Sequence, residues 1–150
     1  DYLGIDVYHP GVGHLLMQIA SNQLTNVRVV CADAVDVLQD SLPSHCLDAV
    51  YLFFPDPWPK KRHHKRRLIQ PEFINLLAKR MKSGGYLHLA TDWEDYAQQM
   101  LQVLEAAPEF INCVAAGHFA PRPPERPLTK FEQRGLRLGH SVWDLCYQRQ

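Results

Sequence analysis

Residues 53 to 67, "FFPDPWPKKRHHKRR", set a carboxylate, Asp56, between Pro55 and Pro57 and run from it into an unbroken basic stretch. That stretch holds Lys60, Lys61, Arg62, Lys65, Arg66 and Arg67, with His63 and His64 between them. Cations at this density are phosphate ligands, so a polyanion bound along the run would be carried to the acid. The flanking prolines restrict the backbone on both sides of that acid and stiffen its presentation. A bare charge run also reads as a solvated surface loop, but this one leaves a strand end, where ligands of α/β sheets bind. The two histidines have no companion cluster of Cys, His or carboxylate at ligand spacing, so no metal site is expected.

Asp6, Asp33 and Asp92 resemble Asp56 in closing a stretch that reads as a strand. Each taken alone is also a helix cap or turn residue. In open α/β sheets ligands bind beyond the carboxyl ends of the strands, so four such acids are expected to line one crevice. An acid ending the second strand commonly takes ribose hydroxyls, because an ionised carboxylate is a pure acceptor. Near the end of the chain, "RPLTKFEQRG" carries Thr129 followed three residues later by Glu132, the signature of a capping box.

The elements that position these residues follow from periodicity. "DYLGIDV", "NVRVVCADA", "CLDAVYLFF" and "YLHLATD" read as strands. "HPGVGHLLMQIASNQL", "PEFINLLAKRMKSGG" and "WEDYAQQMLQVLEAAP" carry apolar residues at helical spacing, and "VDVLQDSL" is a short helical turn. Pro71 suits a first helical turn, and Gly84 with Gly85 reads as its stop. "FINCVAAG" and "SVWDLCYQR" form a terminal β pair joined by a long arm. The order predicts an α/β sheet, mainly parallel, with an antiparallel C-terminal edge.

A chain of 150 residues, 46% of them apolar, with no shift of composition, predicts one domain spanning residues 1–150. Sixteen Lys and Arg balance sixteen Asp and Glu, so the basic stretch is a local excess on a neutral chain and marks a binding face. Four dispersed cysteines without a Cys-x-x-Cys pair indicate reduced thiols. No secretory leader or spanning-length apolar run opens the chain, which points to the cytoplasm. A nucleotide-type sheet begins with a strand and a Gly-rich turn, whereas the "GVG" at Gly11 to Gly13 follows its acid. The sequence is expected to be a fragment cut upstream of its second strand.

With "LATDW" after the basic run and "RPLTKFEQRG" near the end, the chain resembles the bacterial tRNA (guanine-N7-)-methyltransferases from "GIDVYHPGVG" to "GHSVWDLCYQR". The resemblance implies a class I S-adenosylmethionine-dependent methyltransferase fold, Rossmann-like, whose first strand and Gly-rich loop are absent here. It implies S-adenosylmethionine as cofactor and tRNA as partner, with no membrane, and leaves monomer or homodimer open. Asp6 would bind the cofactor ribose, and Asp33 with Ala34 would read its adenine. Asp56 would be the catalytic and cofactor-side aspartate. Lys60, Asp92, Thr129, Lys130, Phe131 and Glu132 would contact substrate, and Arg62, His63, His64, Lys65, Arg66 and Arg67 would form the RNA-contacting loop. Two other readings stand beside it. One is a non-catalytic tRNA-binding fragment; the other is an enzyme acting on an exocyclic base amine, for which the Asp-Pro-Trp turn is one residue short.

Overall fold

The computed structural model describes residues 1–150. The chain divides into two compact units, Asp1–Leu42 and Pro43–Gln150. In the first, β1 (Tyr2–Asp6) pairs in parallel with β2 (Val27–Cys31), and α1 (His9–Ser21) makes the crossover. Pro10 lies in the first turn of α1, where its missing N–H costs nothing. After β2, α2 (Ala34–Asp36) continues into a π-helical turn, Val37–Ser41. Val37 and Leu38 are the buried apolar residues of this unit.

The second unit holds the main core. Its sheet has the order β3-β4-β6-β5, built from β3 (Leu47–Phe53), β4 (Met81–Thr91), β5 (Phe110–Asn112) and β6 (Trp143–Arg149). β3 and β4 are parallel, and β6 runs antiparallel to both β4 and β5. Helices α3 (Pro71–Arg80) and α4 (Glu94–Glu105) lie against β4, and α4 also against β6. Leu87, Leu89 and Leu145 are fully buried, as are Ile74 and Leu77 of α3 and Tyr96, Met100 and Leu104 of α4. Strand alternation puts His88 and Ala90 on the other face of β4, where His88 meets the Tyr51 and Phe53 rings of β3. No helix is long and apolar enough to cross a membrane.

Three details differ from the sequence expectation. α3 stops at Arg80, four residues before Gly84, because Met81 already pairs with Leu47 and the glycines serve a bulge in β4. A Cβ on Gly85 would lie 2.9 Å from the Lys82 carbonyl oxygen, a contact only glycine avoids. The arm is not irregular throughout: it holds α5 (Lys130–Arg137). The ladder is also not continuous, since β1 pairs only with β2, and β3 only with β4.

Candidate active site and nucleic-acid interface

Phe54 continues the β3 ladder by donating its N–H to the Ala90 carbonyl at 2.7 Å. The chain then alternates prolines with Asp56 and Trp58. Phe54 and Trp58 take positive φ values, 53° and 42°, although each carries a side chain and precedes a proline. A left-handed non-glycine residue costs on the order of 1–2 kcal/mol, so this turn is held by its surroundings. The Asp56 carboxylate is exposed and accepts from the Trp58 N–H through Oδ1 at 3.0 Å. That is an Asx turn, and Oδ2 takes no part in it.

The basic run winds into a 3₁₀ turn, Lys61–Arg66. Lys60, Lys61, Arg62, Lys65 and Arg66 are exposed, whereas His63 and His64 are half-buried. The Arg66 guanidinium lies 5.0 Å from the Trp58 ring centroid, and His63 stands edge-on to the same ring at 5.8 Å. Arg67 departs from the expected role of RNA contact. It is 2% exposed, and its guanidinium donates to the Pro57 carbonyl at 2.7 Å, Gln99 Oε1 at 2.6 Å and Asp95 Oδ2 at 2.7 Å, above the Tyr96 ring. The Arg67 hydrogen bond holds the Asp95 carboxyl below the usual carboxylate range, against the small opposing effect of burial. Arg67 therefore fastens the turn to α4 and lies too deep to present its guanidinium to a phosphate at the surface.

The arm returns to the same strand end. Thr129 caps α5 by accepting from the Glu132 N–H at 3.1 Å, as the capping-box spacing predicts. The Glu132 side chain does something the sequence did not indicate: instead of turning back to the cap it forms a buried, two-pronged pair with Arg126. Phe131 meets Phe54 edge-on with centroids 5.5 Å apart, and Arg126 lies over Phe53 and Phe54 at 5.9 and 5.8 Å. Lys130 is exposed, and Asp92 is half-buried just past β4, where Thr91 Oγ1 accepts from the Trp93 N–H. A concavity lined by Ser44, His45, Asn75, Lys79, Glu109 and Arg149 opens toward the other end of β3, away from Asp56.

In the first unit, Asp6 and Asp33 end neighbouring strands. Asp6 Oδ1 accepts from the Tyr8 N–H at 3.0 Å, and Asp33 Oδ1 from the Val35 N–H at 2.7 Å, which caps α2. Each acid thus spends one oxygen on a local turn. Gly11 of α1 lies over Asp6: a Cβ there would be 3.8 Å from Asp6 Oδ2. Ala34 is half-buried beside Asp33.

A family model described as "Putative methyltransferase" matches residues 1–145. The chain belongs to this methyltransferase family. It is 62% identical over 150 residues to the tRNA (guanine-N(7)-)-methyltransferase of Nitrosospira multiformis, covering all of the chain and 65% of that relative. It is 59% identical to the protein so named from Dechloromonas aromatica, over 150 residues and 60% of that relative. The chain thus spans about 60–65% of the length of these relatives. Among solved structures it is similar to a SAM-dependent O-methyltransferase of Thermotoga maritima, with a TM-score of 0.58 at 14% identity over 98% of this chain and 49% of that one. It is also similar to the [4+2]-cyclase SpnF, with a TM-score of 0.62 at 14% identity over 98% of this chain and 65% of that one. Such likeness fixes the fold, a Rossmann-like class I methyltransferase sheet, and leaves chemistry to be argued from the site.

Proposed function

We propose that the intact protein transfers the methyl group of S-adenosylmethionine to N7 of a guanine in the variable loop of tRNA. The observation that carries this reading is the docking of α5 on the strand end that bears Asp56, with Phe131 against Phe54 and the basic turn leaving the same strand. The activity named for the relatives supports it. The family match runs across both compact units, which supports reading residues 1–150 as parts of one methyltransferase domain. Its compartment on this reading is the cytoplasm.

The first unit has acceptors suited to the nucleoside part of such a cofactor. Asp6 keeps Oδ2 outside its turn, beside a glycine that leaves room, and an ionised carboxylate can accept from both vicinal ribose hydroxyls. Asp33 has the same spare oxygen for an amino group, next to the small Ala34. When bound, the cofactor supplies an electrophilic methyl group on a sulfonium.

Guanine N7 has an in-plane lone pair and no proton, so this chain need not supply a strong base. Its residues have to align and to stabilise charge. Asp56, held by its Asx turn and prolines, favours the positive charge that develops on the guanine ring. Asp92 accepts from the base edge, which grows more acidic as the ring becomes cationic. Lys60, Lys61, Arg62, Lys65 and Arg66 hold phosphates, and Lys130 and Phe131 border the base.

The test is chemical. N7-methylguanine opens after borohydride reduction, and aniline then cleaves the RNA at that residue. Intact protein with tRNA and S-adenosylmethionine is expected to give one new cleavage in the variable loop. Methyl incorporation without cleavage would favour attack on an exocyclic amine, and tRNA binding without incorporation would favour an RNA-binding module.

A further inference from the structure

Arg126 joins two segments distant in the fold. Its Nη1 and Nη2 donate to Glu132 Oε2 and Oε1 at 2.6 and 2.7 Å, and its Nε and Nη2 donate to Asp144 Oδ1 and Oδ2 at 2.7 and 3.1 Å. His88 Nε2 lies 2.7 Å from Asp144 Oδ1 on the next strand. Arg126, Asp144 and His88 are each 2% exposed and Glu132 is 3%. Two carboxylates thus face a guanidinium and an imidazole in a place closed to water. A buried charge is tolerated only when its partners match it in number and geometry, and here each carboxylate takes two bonds from one planar fork.

The consequence lies one residue away. Glu132 is tied twice, by its N–H to Thr129 and by its carboxylate to Arg126, and this fixes the first turn of α5. Phe131, its neighbour, is 58% exposed yet touches Phe54, two residues before Asp56. A purely apolar dock would let α5 slide, whereas a bidentate fork admits one register.

We infer that Arg126 is a positioning residue for the methyl transfer proposed above: it sets the first turn of α5 against the Asp56 strand end, and Glu132 acts through it instead of touching the base. The inference rests on that functional reading. A base seeking Glu132 would have to break a buried pair, whereas Asp92 and Lys130 are reached without doing so.

The experiment is a double-mutant cycle in the intact protein with Arg126→Lys and Glu132→Gln, reading methyl transfer and amide hydrogen exchange together. Lys keeps the charge but cannot span two carboxylates, so it separates geometry from charge, and a urea midpoint measured beside turnover shows how much of the folded state it retains. Each single variant is expected to lower kcat about 10- to 100-fold, the scale of a small misplacement of reacting groups. KM for S-adenosylmethionine should stay within about twofold, and exchange in residues 129–137 should rise. The double variant should lose little more than the worse single, since both break one device. Losses that multiply, or a Glu132→Gln defect with α5 exchange unchanged, would overturn the inference and return Glu132 to direct base contact. Wild-type protein that raises no N7-specific cleavage, with α5 exchange still rising in the variants, would overturn the functional reading alone.

Discussion

The Phe131 ring stands edge-on to Phe54, and Phe54 holds a left-handed backbone while still bonded to Ala90 of the neighbouring strand. A residue that is both strand end and turn start thus supports the arm from below. Phe131→Ala removes an aromatic pair worth about 0.5–1.5 kcal/mol. With more than half of the ring in solvent, the melting temperature should fall by only a few degrees. Methyl transfer to tRNA should fall about tenfold or more, and scanning calorimetry beside turnover assays checks the split.

Asp56 can be tested without disturbing its turn. Asp56→Asn keeps an oxygen to accept from the Trp58 N–H and removes only the charge. If the carboxylate acts on developing positive charge, Asn should lose nearly as much rate as Ala, about 10²- to 10³-fold. Near-wild-type turnover in Asp56→Asn would reduce the residue to a turn former.

The basic turn should separate into two kinds of residue. Replacing Lys60, Lys61, Arg62, Lys65 and Arg66 by Ala should leave the fold intact and flatten the salt dependence of tRNA binding, by about 0.7–0.9 in log–log slope for each phosphate no longer neutralised. Arg67→Ala should instead cost about 2–3 kcal/mol, since three charge-assisted hydrogen bonds go with it. Denaturant titration and salt-dependent filter binding distinguish them.

His88 predicts a stability profile. Burial pulls its pKa down, but hydrogen bonding to Asp144 and then Cys146, with their electrostatic attraction, outweighs this and raises it from 6.5 to about 9. The groups around it are Tyr51 and Phe53 on β3, Tyr86 on β4 and Asp144 and Cys146 on β6, with Arg126 beyond Asp144. The folded state binds the proton more tightly than the unfolded chain, so this stabilisation is complete below about pH 6.5. It is lost as pH rises through about 9, and amounts to on the order of 3 kcal/mol. Urea midpoints from pH 6 to 10 should show the loss in wild type and not in His88→Gln.

The strand-end acids were legible in the sequence because period and polarity mark where a buried strand meets solvent. Asp6, Asp33 and Asp56 each serve an Asx turn through Oδ1, the bland reading, which leaves Oδ2 for the role proposed above. The end of α3 was misread because glycine signals a helix stop and a strand bulge alike, and only pairing with Leu47 decides between them. Arg67 could not be told from its neighbours by type; the one trace is Asp95 and Gln99, four apart on α4 and so on one face. Arg126 opens the "RPLTKFEQRG" stretch, yet neither its type nor its spacing marked it as buried. It lies in a proline-rich arm, and its partners are 6 and 18 residues away.

The Arg67 fastening also bears on how a polyanion would be captured. A free loop of this length would have to be ordered at the moment of contact, and each immobilised residue would subtract from affinity. Here the backbone of the turn is already fixed by the buried Arg67 guanidinium, so the loss of freedom was met when the chain folded. What a ligand must still order is the exposed side chains alone. Recognition through this turn should accordingly be fast and little dependent on rearrangement, and ions in solution that compete for the outer cations should leave its backbone where it is.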